Sequence, residues 1–313
     1  ITTGANNTVV GKSALSSAAD DESGNVAIGN SALDVAKQNG TVSATNREVK
    51  NNVAIGLNAL YGGTLTGTNH LEGCVAIGKD AMDATGANNQ IGTIAIGQSA
   101  LTALTSGAGN TAVGYQSLDA EVDGDSSTAV GYQALTAQTG IDGNVGNTAV
   151  GHQAGFNNVT GINNTWVGLK AGYGGSGNNS NNTGVGSSVM GAITTGSGNV
   201  AVGYGTLDDT TDGANNVAIG TGALSANCAD YNTAVGFNAL NASTSTLNVA
   251  IGSFAGDIIT GGSSNTCIGY HADASANGAV NQTVIGSTTT GVADKSVTLG
   301  NADVTDVFMS QDS

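Results

Sequence analysis

One short pattern of branched, small and polar residues recurs along the whole chain. Asn110–Gly114 reads Asn-Thr-Ala-Val-Gly, and Asn147–Gly151 repeats it letter for letter. We count 17 such cores, of which the first is Asn7–Gly11 and the last is Ser296–Gly300. Most neighbouring core glycines are 16 to 20 residues apart. Self-similarity at a nearly fixed period is the signature of repeat architectures. The pattern therefore predicts an all-β, parallel β-solenoid or β-roll of about 17 rungs.

Each position of the core has a distinct composition. The residue three before the glycine is always Thr, Val or Ile, and the residue one before it is Val or Ile in 16 of the 17 cores. Side chains two apart on a strand point to the same face, where β-branched residues pack well. The residue between them is Ala in 11 cores, and the opening residue is Asn in 12. Each core is thus predicted to be a short strand with one branched apolar face and one small, flat face.

The small face carries two further expectations. Its flatness suggests close approach by another part of the backbone, and its recurrent Asn suits a ladder of amides that bond from rung to rung. After the glycine, most repeats continue with Ala-Leu, which we expect to turn the chain inward before a polar loop. The pairs include Ala32-Leu33, Ala59-Leu60, Ala100-Leu101, Ala134-Leu135, Ala223-Leu224 and Ala239-Leu240.

A single rung has too few apolar side chains to offset its own conformational entropy, so neighbouring rungs must stabilise one another. A self-contained left-handed β-helix is one arrangement of such rungs. Because the apolar pattern is strong only once per rung, we favour a homotrimeric rod in which copies assemble around an axis. The repeat domain spans 1–300, with longer loops at 34–50 and 61–73, and 301–313 form a C-terminal tail.

Composition and charge narrow the function classes. The chain carries 7 basic and 23 acidic residues, a net charge of −16. Nucleic acid is not an expected partner, because its binding requires a basic surface. The sequence holds no run of 18 apolar residues, so no membrane insertion is expected. Cys74, Cys228 and Cys267 lack metal-ligand spacing and are interpreted as buried small apolar residues.

The stretch Thr128–Leu135, Thr-Ala-Val-Gly-Tyr-Gln-Ala-Leu, resembles two families of repeats. It resembles the repeats of bacteriophage tail fibres that precede an endosialidase-type C-terminal chaperone domain, and those of trimeric autotransporter adhesin heads. Asn199–Gly203 and Asn216–Gly220 resemble the adhesin-head pattern. Ser296–Val304 resembles the stretch leading into the phage chaperone domain, a family that cleaves itself after a serine followed by aspartate. This resemblance implies a matured fibre that ends at Ser313, with the chaperone domain missing or cleaved.

Two groups of residues are candidates for binding a glycan. The first is a column of rings directly after the core glycine, where packing between rungs is the alternative interpretation; it comprises Tyr115, Tyr132, His152, Tyr204, Phe237 and Tyr270. The second lies in the longer loops, where extra length often carries recognition, although tolerated surface insertions explain it equally well. Its members are Lys37, Arg47, Lys50, Tyr61 and His70. His70 and His271 have no recurrent partner along the sequence.

One acidic segment resembles the first half of a calcium loop. Asp119, Glu121, Asp123 and Asp125 alternate with other residues, which makes a structural Ca²⁺ conceivable, but Val130 stands where a bidentate Glu is expected. Solvated turns are the alternative. No other cofactor is expected. No nucleophile motif and no paired carboxylates stand out, so we expect no enzymatic activity.

These observations favour a structural and adhesive fibre protein, the shaft or receptor-binding segment of a phage tail fibre in the virion. Its expected partners are two further copies of itself, a host cell-surface glycan or outer-membrane component, and other tail proteins. A polysaccharide-depolymerising tailspike and a bacterial surface adhesin head remain alternatives. Ice binding by the Thr and Val columns is a further alternative. It would require those columns to face solvent, and we expect that the chain would then have no other core.

Overall fold

The computed structural model describes residues 5–16, 22–35, 48–63, 69–86, 89–139, 143–174 and 177–307. These residues form strands, turns and bends, with no helix among them. The chain divides into two compact units, the first comprising Ile1–Lys170 and Ser176–Asn178, the second Ala171–Gly175 and Asn179–Ser313. Each unit is a stack of short parallel strands. The prediction of an all-β, parallel β-solenoid is therefore confirmed.

The strands coincide with the predicted cores. In the first unit the core strands are β1 (Thr8–Val10), β3 (Val26–Ile28), β5 (Val53–Ile55), β7 (Val75–Ile77), β9 (Ile94–Ile96), β10 (Thr111–Val113), β12 (Thr128–Val130), β14 (Thr148–Val150) and β15 (Thr165–Val167). In the second they are β16 (Thr183–Val185), β17 (Val200–Val202), β18 (Val217–Ile219), β19 (Thr233–Val235), β20 (Val249–Ile251), β21 (Thr266–Ile268), β22 (Thr283–Ile285) and β23 (Val297–Leu299). Every three-residue stretch before a core glycine is thus a strand.

Six further strands lie in the first unit outside the cores. They are β2 (Glu22–Ser23), β4 (Glu48–Lys50), β6 (His70–Glu72), β8 (Gln90–Ile91), β11 (Gly124–Asp125) and β13 (Gly143–Asn144). The strands β2, β4, β6 and β8 form a four-stranded parallel sheet, and β11 pairs with β13. The loop before a core therefore builds a second side of the rung.

Successive core strands within a unit pair in parallel and in register. Ala112 of β10 lies opposite Ala129 of β12, and Ala218 of β18 lies opposite Ala234 of β19. Because the register does not slip, each sequence column becomes a straight column in space. Rungs in such a ladder lie about 4.8 Å apart.

The small face of each strand points into the solenoid. The Ala columns, with Ala112 and Ala218 as examples, are fully buried, and the Ala-Leu pairs close the interior from the other side of the rung. The first and third residues of every core strand are only half-buried or exposed. The expectation that solvent-facing Thr and Val columns would leave no core is therefore wrong, since Ala, Leu and Asn supply one.

The predicted amide ladder is present and lies in the interior. The Oδ1 of Asn248 accepts the backbone N–H of Asn265 at 3.0 Å, and its Nδ2 donates to the carbonyl of Gly262 at 2.8 Å. Asn199 makes the same two bonds, to Asn216 and Gly213. Asn248 and Asn199 thus tie their strands to the next rung and to that rung's loop.

The turn after each strand has an unusual backbone. Gly131 has φ 140°, and a Cβ there would overlap the carbonyl oxygen of Gly151, so only glycine fits. Two non-glycine residues follow in the left-handed region, Gln133 with φ 53° and Leu135 with φ 50°. Their N–H groups bond to neighbouring rungs, to Tyr115 O at 2.8 Å and Ala154 O at 3.0 Å, which offsets the strain. The ladder therefore continues through the turn.

The longer loops are described only in part, since 36–47 and 64–68 lie outside the described residues, as do 308–313 at the end of the predicted tail. No helix in the described part of the chain is long and apolar enough to cross a membrane.

Candidate functional surfaces

The two columns of outward-pointing strand residues define what we call the branched face of each unit. It consists of the first and third residue of every core strand, all of them Thr, Val, Ile or Leu. In the second unit Val202 is 38% exposed, Ile219 41% and Ile251 42%. Contiguous apolar surface of this kind marks interaction sites on soluble proteins. The branched face is therefore the most extended candidate surface of the chain.

The aromatic column is stacked along the solenoid. The rings of Tyr115 and Tyr132 are 5.2 Å apart and nearly parallel, and Tyr132 stacks in the same way on His152 at 5.0 Å. Sugars bind aromatic side chains on their ring faces, and both faces of Tyr132 are covered by its neighbours. The stack thus favours the packing interpretation for these three residues, although Tyr115 and Tyr132 remain 39% and 45% exposed.

The other members of the column are arranged differently. Phe237 contacts Phe254 edge to face at 5.0 Å, and Tyr270 contacts His271 edge to face at 4.6 Å. Tyr204 is 64% exposed, the most exposed tyrosine of the described residues. Tyr204 is accordingly the member of the column with the best access for a sugar ring.

The structure brings together two loop candidates that are distant in sequence. Lys50 and His70 lie on the paired strands β4 and β6, and both approach Glu48. The Nζ of Lys50 is 2.9 Å from Oε1 of Glu48, and Nδ1 of His70 is 3.7 Å from Oε2. Tyr61 lies 42% exposed at the start of the second long loop. Lys37 and Arg47 lie outside the described residues.

The acidic segment 119–125 does not converge on one point. The Glu121 carboxylate is buried and accepts the N–H groups of Val122, Asp123 and Gly124 at 2.7 to 3.2 Å, while its other oxygen accepts from Gln138. This carboxylate already accepts four hydrogen bonds from the protein. Burial raises the pKa of Asp119 above its usual range, against the lowering effect of a hydrogen bond from Thr102.

Asp123 and Asp125 line a polar cleft of about 590 Å³ in the first unit. The other lining residues are Asn69, Asn89, Ser106, Gly107 and Ala108. The Ala108 N–H donates to Oδ1 of Asp125 at 2.7 Å, so that carboxylate already has one partner. Amides, a hydroxyl and carboxylates in one cleft offer hydrogen bonds to a polyhydroxylated ligand, with no aromatic platform among the lining residues.

The three cysteines are buried, as the sequence analysis predicts. Cys74, Cys228 and Cys267 are buried and unpaired. Burial raises the pKa of Cys74 to about 11 and that of Cys267 to about 12. They are packing residues within the solenoid interior.

Sequence reasoning missed one cluster. Asp257, His271 and Asp273 offer ligand atoms that all lie within 4.8 Å of one another, the sole grouping of three such side chains found in the described residues. Asp257 and Asp273 stand one rung apart. The repeat period itself was the available signal, because residues one period apart become neighbours in a solenoid.

Comparison with models of known protein families and with curated proteins finds no match for this chain.

Proposed function

We propose that this chain is a segment of a homotrimeric adhesive fibre, of the phage tail-fibre type, that attaches to a glycan on a host cell surface. The observation that supports it is the branched face. Two straight columns of Thr, Val, Ile and Leu face outward in each unit although the solenoid already has an interior of its own. Covering that face with copies of the same chain removes its apolar surface from water.

Charge supports the same assignment. The chain carries a net charge of −16, so three copies repel one another wherever their acidic loops meet. The branched face contains no charged residue, which makes it the surface on which acidic copies can approach closely. The loops then point away from the axis, where a rod presents them to a partner.

Adhesion follows from repetition in this proposal. Three copies of a weak sugar contact raise avidity without a strong individual site, provided that the target presents its sugars at matching distances. Tyr204 and the corner formed by Glu48, Lys50 and His70 are the contacts we assign to the glycan. Tyr204 offers a ring face, and the corner offers charged and polar groups.

The mass of the native particle tests the assembly. Light scattering on the purified chain should give about three times 30.3 kDa, a value that persists in mild denaturant. A particle of 30.3 kDa with an exposed branched face would contradict the homotrimer.

Binding to a panel of bacterial surface polysaccharides tests adhesion. Tyr204→Ala should weaken retention, whereas Tyr231→Ala, at a tyrosine that is 58% exposed outside the column, should leave it unchanged. Equal retention of both variants and of the unaltered chain would remove Tyr204 from the site. Shortening of the polysaccharide during incubation would instead identify a depolymerising tailspike.

A second function, ice binding, is favoured by one specific observation. Thr111, Thr128, Thr148 and Thr165 stand in register on four consecutive core strands, each half-exposed beside a column of valine. A flat array of hydroxyl and methyl groups repeated about every 4.8 Å can order a layer of water. Inhibition of ice recrystallisation by a monomeric chain, lost in Thr128→Lys, would establish this function in place of the fibre.

A further inference from the structure

Three side chains of the second unit meet at a corner between two rungs. Asp257 follows β20, and His271 and Asp273 follow β21, the next strand of the ladder. One ligand atom from each lies within 4.8 Å of the others, and all three residues are half-buried. The corner thus joins an imidazole nitrogen and two carboxylate oxygens from separate turns of the chain.

This corner has an unmet electrostatic need. The Oδ1 atom of Asp273 is buried and receives no hydrogen bond. Buried polar atoms almost always have a partner, so an oxygen without one requires an explanation.

The imidazole is held in place by rings on two sides. His271 stacks on Phe254 at 4.7 Å with an angle of 4° between the rings, and Tyr270 meets it edge to face at 4.6 Å. A side chain clamped in this way loses little freedom when it binds a ligand. The ring is therefore preorganised beside the two carboxylates.

We propose that Asp257, His271 and Asp273 bind one divalent transition-metal ion, with Zn²⁺ as the preferred ion. Two carboxylates balance the charge of a dication, and one nitrogen with two oxygens is a ligand set that suits Zn²⁺ when water completes the coordination. The imidazole disfavours Ca²⁺ and Mg²⁺, which take oxygen ligands. The ion supplies the missing partner of Asp273 and cross-links two successive rungs.

This site is separate from the acidic segment 119–125 and does not depend on the fibre proposal. It assigns to His271, which has no recurrent partner along the sequence, a role that only the stacking of rungs makes visible.

Titration calorimetry on the metal-free full chain tests the proposal with ZnCl₂ alone as the probe. We expect one ion per chain, and about a tenfold or greater loss of affinity in Asp273→Asn and in His271→Gln, since even residues that only orient ligands contribute that much. The double variant Asp208→Asn with Asp209→Asn, at an acidic pair elsewhere in the same unit, should bind as the unaltered chain does.

CaCl₂ titrated under the same conditions should bind more weakly than ZnCl₂. Three results would each overturn the site: no saturable Zn²⁺ binding at millimolar concentration, affinity unchanged in both ligand variants, or equal loss in the Asp208/Asp209 control. Circular dichroism confirms that each variant is folded. Where Asp273→Asn alters folding, His271→Gln is the decisive variant.

Discussion

At the residue scale, the interior shows how one large side chain fits a column of small ones. Trp166 stands in the Ala column and is fully buried. Gly155 occupies the position that Leu135 holds in the preceding rung, and a Cβ on it would lie 2.7 Å from Cδ2 of Leu135 and 3.0 Å from Cδ1 of Trp166. The missing leucine side chain thus provides the volume that the indole fills.

This compensation predicts coupling between the two positions. Trp166→Ala should cost about 3–5 kcal/mol of unfolding free energy through the cavity it leaves, and Gly155→Leu should destabilise by overpacking. The double variant should be less destabilised than the sum of the two, by about 1–3 kcal/mol. Denaturant unfolding of all four chains measures the difference, and strict additivity would refute the compensation.

Thiol chemistry gives a second prediction at this scale. Because burial raises the pKa of Cys267 to about 12, its thiol should not react with a disulfide reagent at pH 8 until the chain unfolds. The folded pKa of Cys267 lies above the ordinary value of 9.0. The contribution of its protonated thiol to the free energy of unfolding is therefore complete below pH 9 and is lost as the pH rises toward 12. The Cys267→Ala variant should therefore lose less unfolding free energy between pH 9 and pH 12. Rapid labelling of the folded chain at pH 8 would contradict the predicted protection of the thiol.

At the element scale, the strand is too short to persist alone and is held by its interior face. Each core strand has three residues, and in most rungs an Asn precedes it; Asn248, for example, bonds to the next rung. Parallel in-register pairing then repeats these bonds along each unit. The Asn ladder therefore acts as a set of cross-links that secure strand and loop together.

Removing one cross-link should be costly in the middle of the ladder. Asn248→Ala leaves the N–H of Asn265 and the carbonyl of Gly262 buried without that partner, which should cost about 2–6 kcal/mol at 1–3 per unsatisfied group. Asn277→Ala, at an exposed Asn, should change stability by less than about 0.5 kcal/mol. Thermal unfolding compares the two. Similar midpoints would show that the ladder contributes little.

At the scale of the whole molecule, the branched face is the feature that bears on whether the chain is a monomer or assembles with copies of itself. Its columns contain Thr, Val, Ile and Leu only, and no side chain of the described residues covers them fully. The acidic residues lie outside the core strands instead, for example Asp208 and Asp230, which keeps charge away from that face. An interface built on it needs no buried ion pair.

If copies assemble on this face as proposed, a charge placed on it should prevent their association. Ile219→Asp should convert the native particle to 30.3 kDa, because a buried carboxylate in an apolar interface is strongly unfavourable. Ile219→Val should stay assembled, and so should Val292→Asp, at a valine that is 77% exposed outside the face. Light scattering distinguishes the three. An Ile219→Asp chain that still assembles would place the interface elsewhere.

The sequence by itself determined where the core strands are, how their side chains alternate, and that Asn would form a ladder, whereas the six strands outside the cores appear only in the structure. The first three follow from local rules, since side-chain direction alternates along any strand and a fixed period aligns identical residues. Only the tertiary structure decided which face is the interior. The choice depends on the side toward which the Ala-Leu segment bends, and that bend requires left-handed residues such as Leu135, which no propensity favours. Stacking likewise decided which distant residues meet, as it does for Glu48 with His70 and for Asp257 with Asp273.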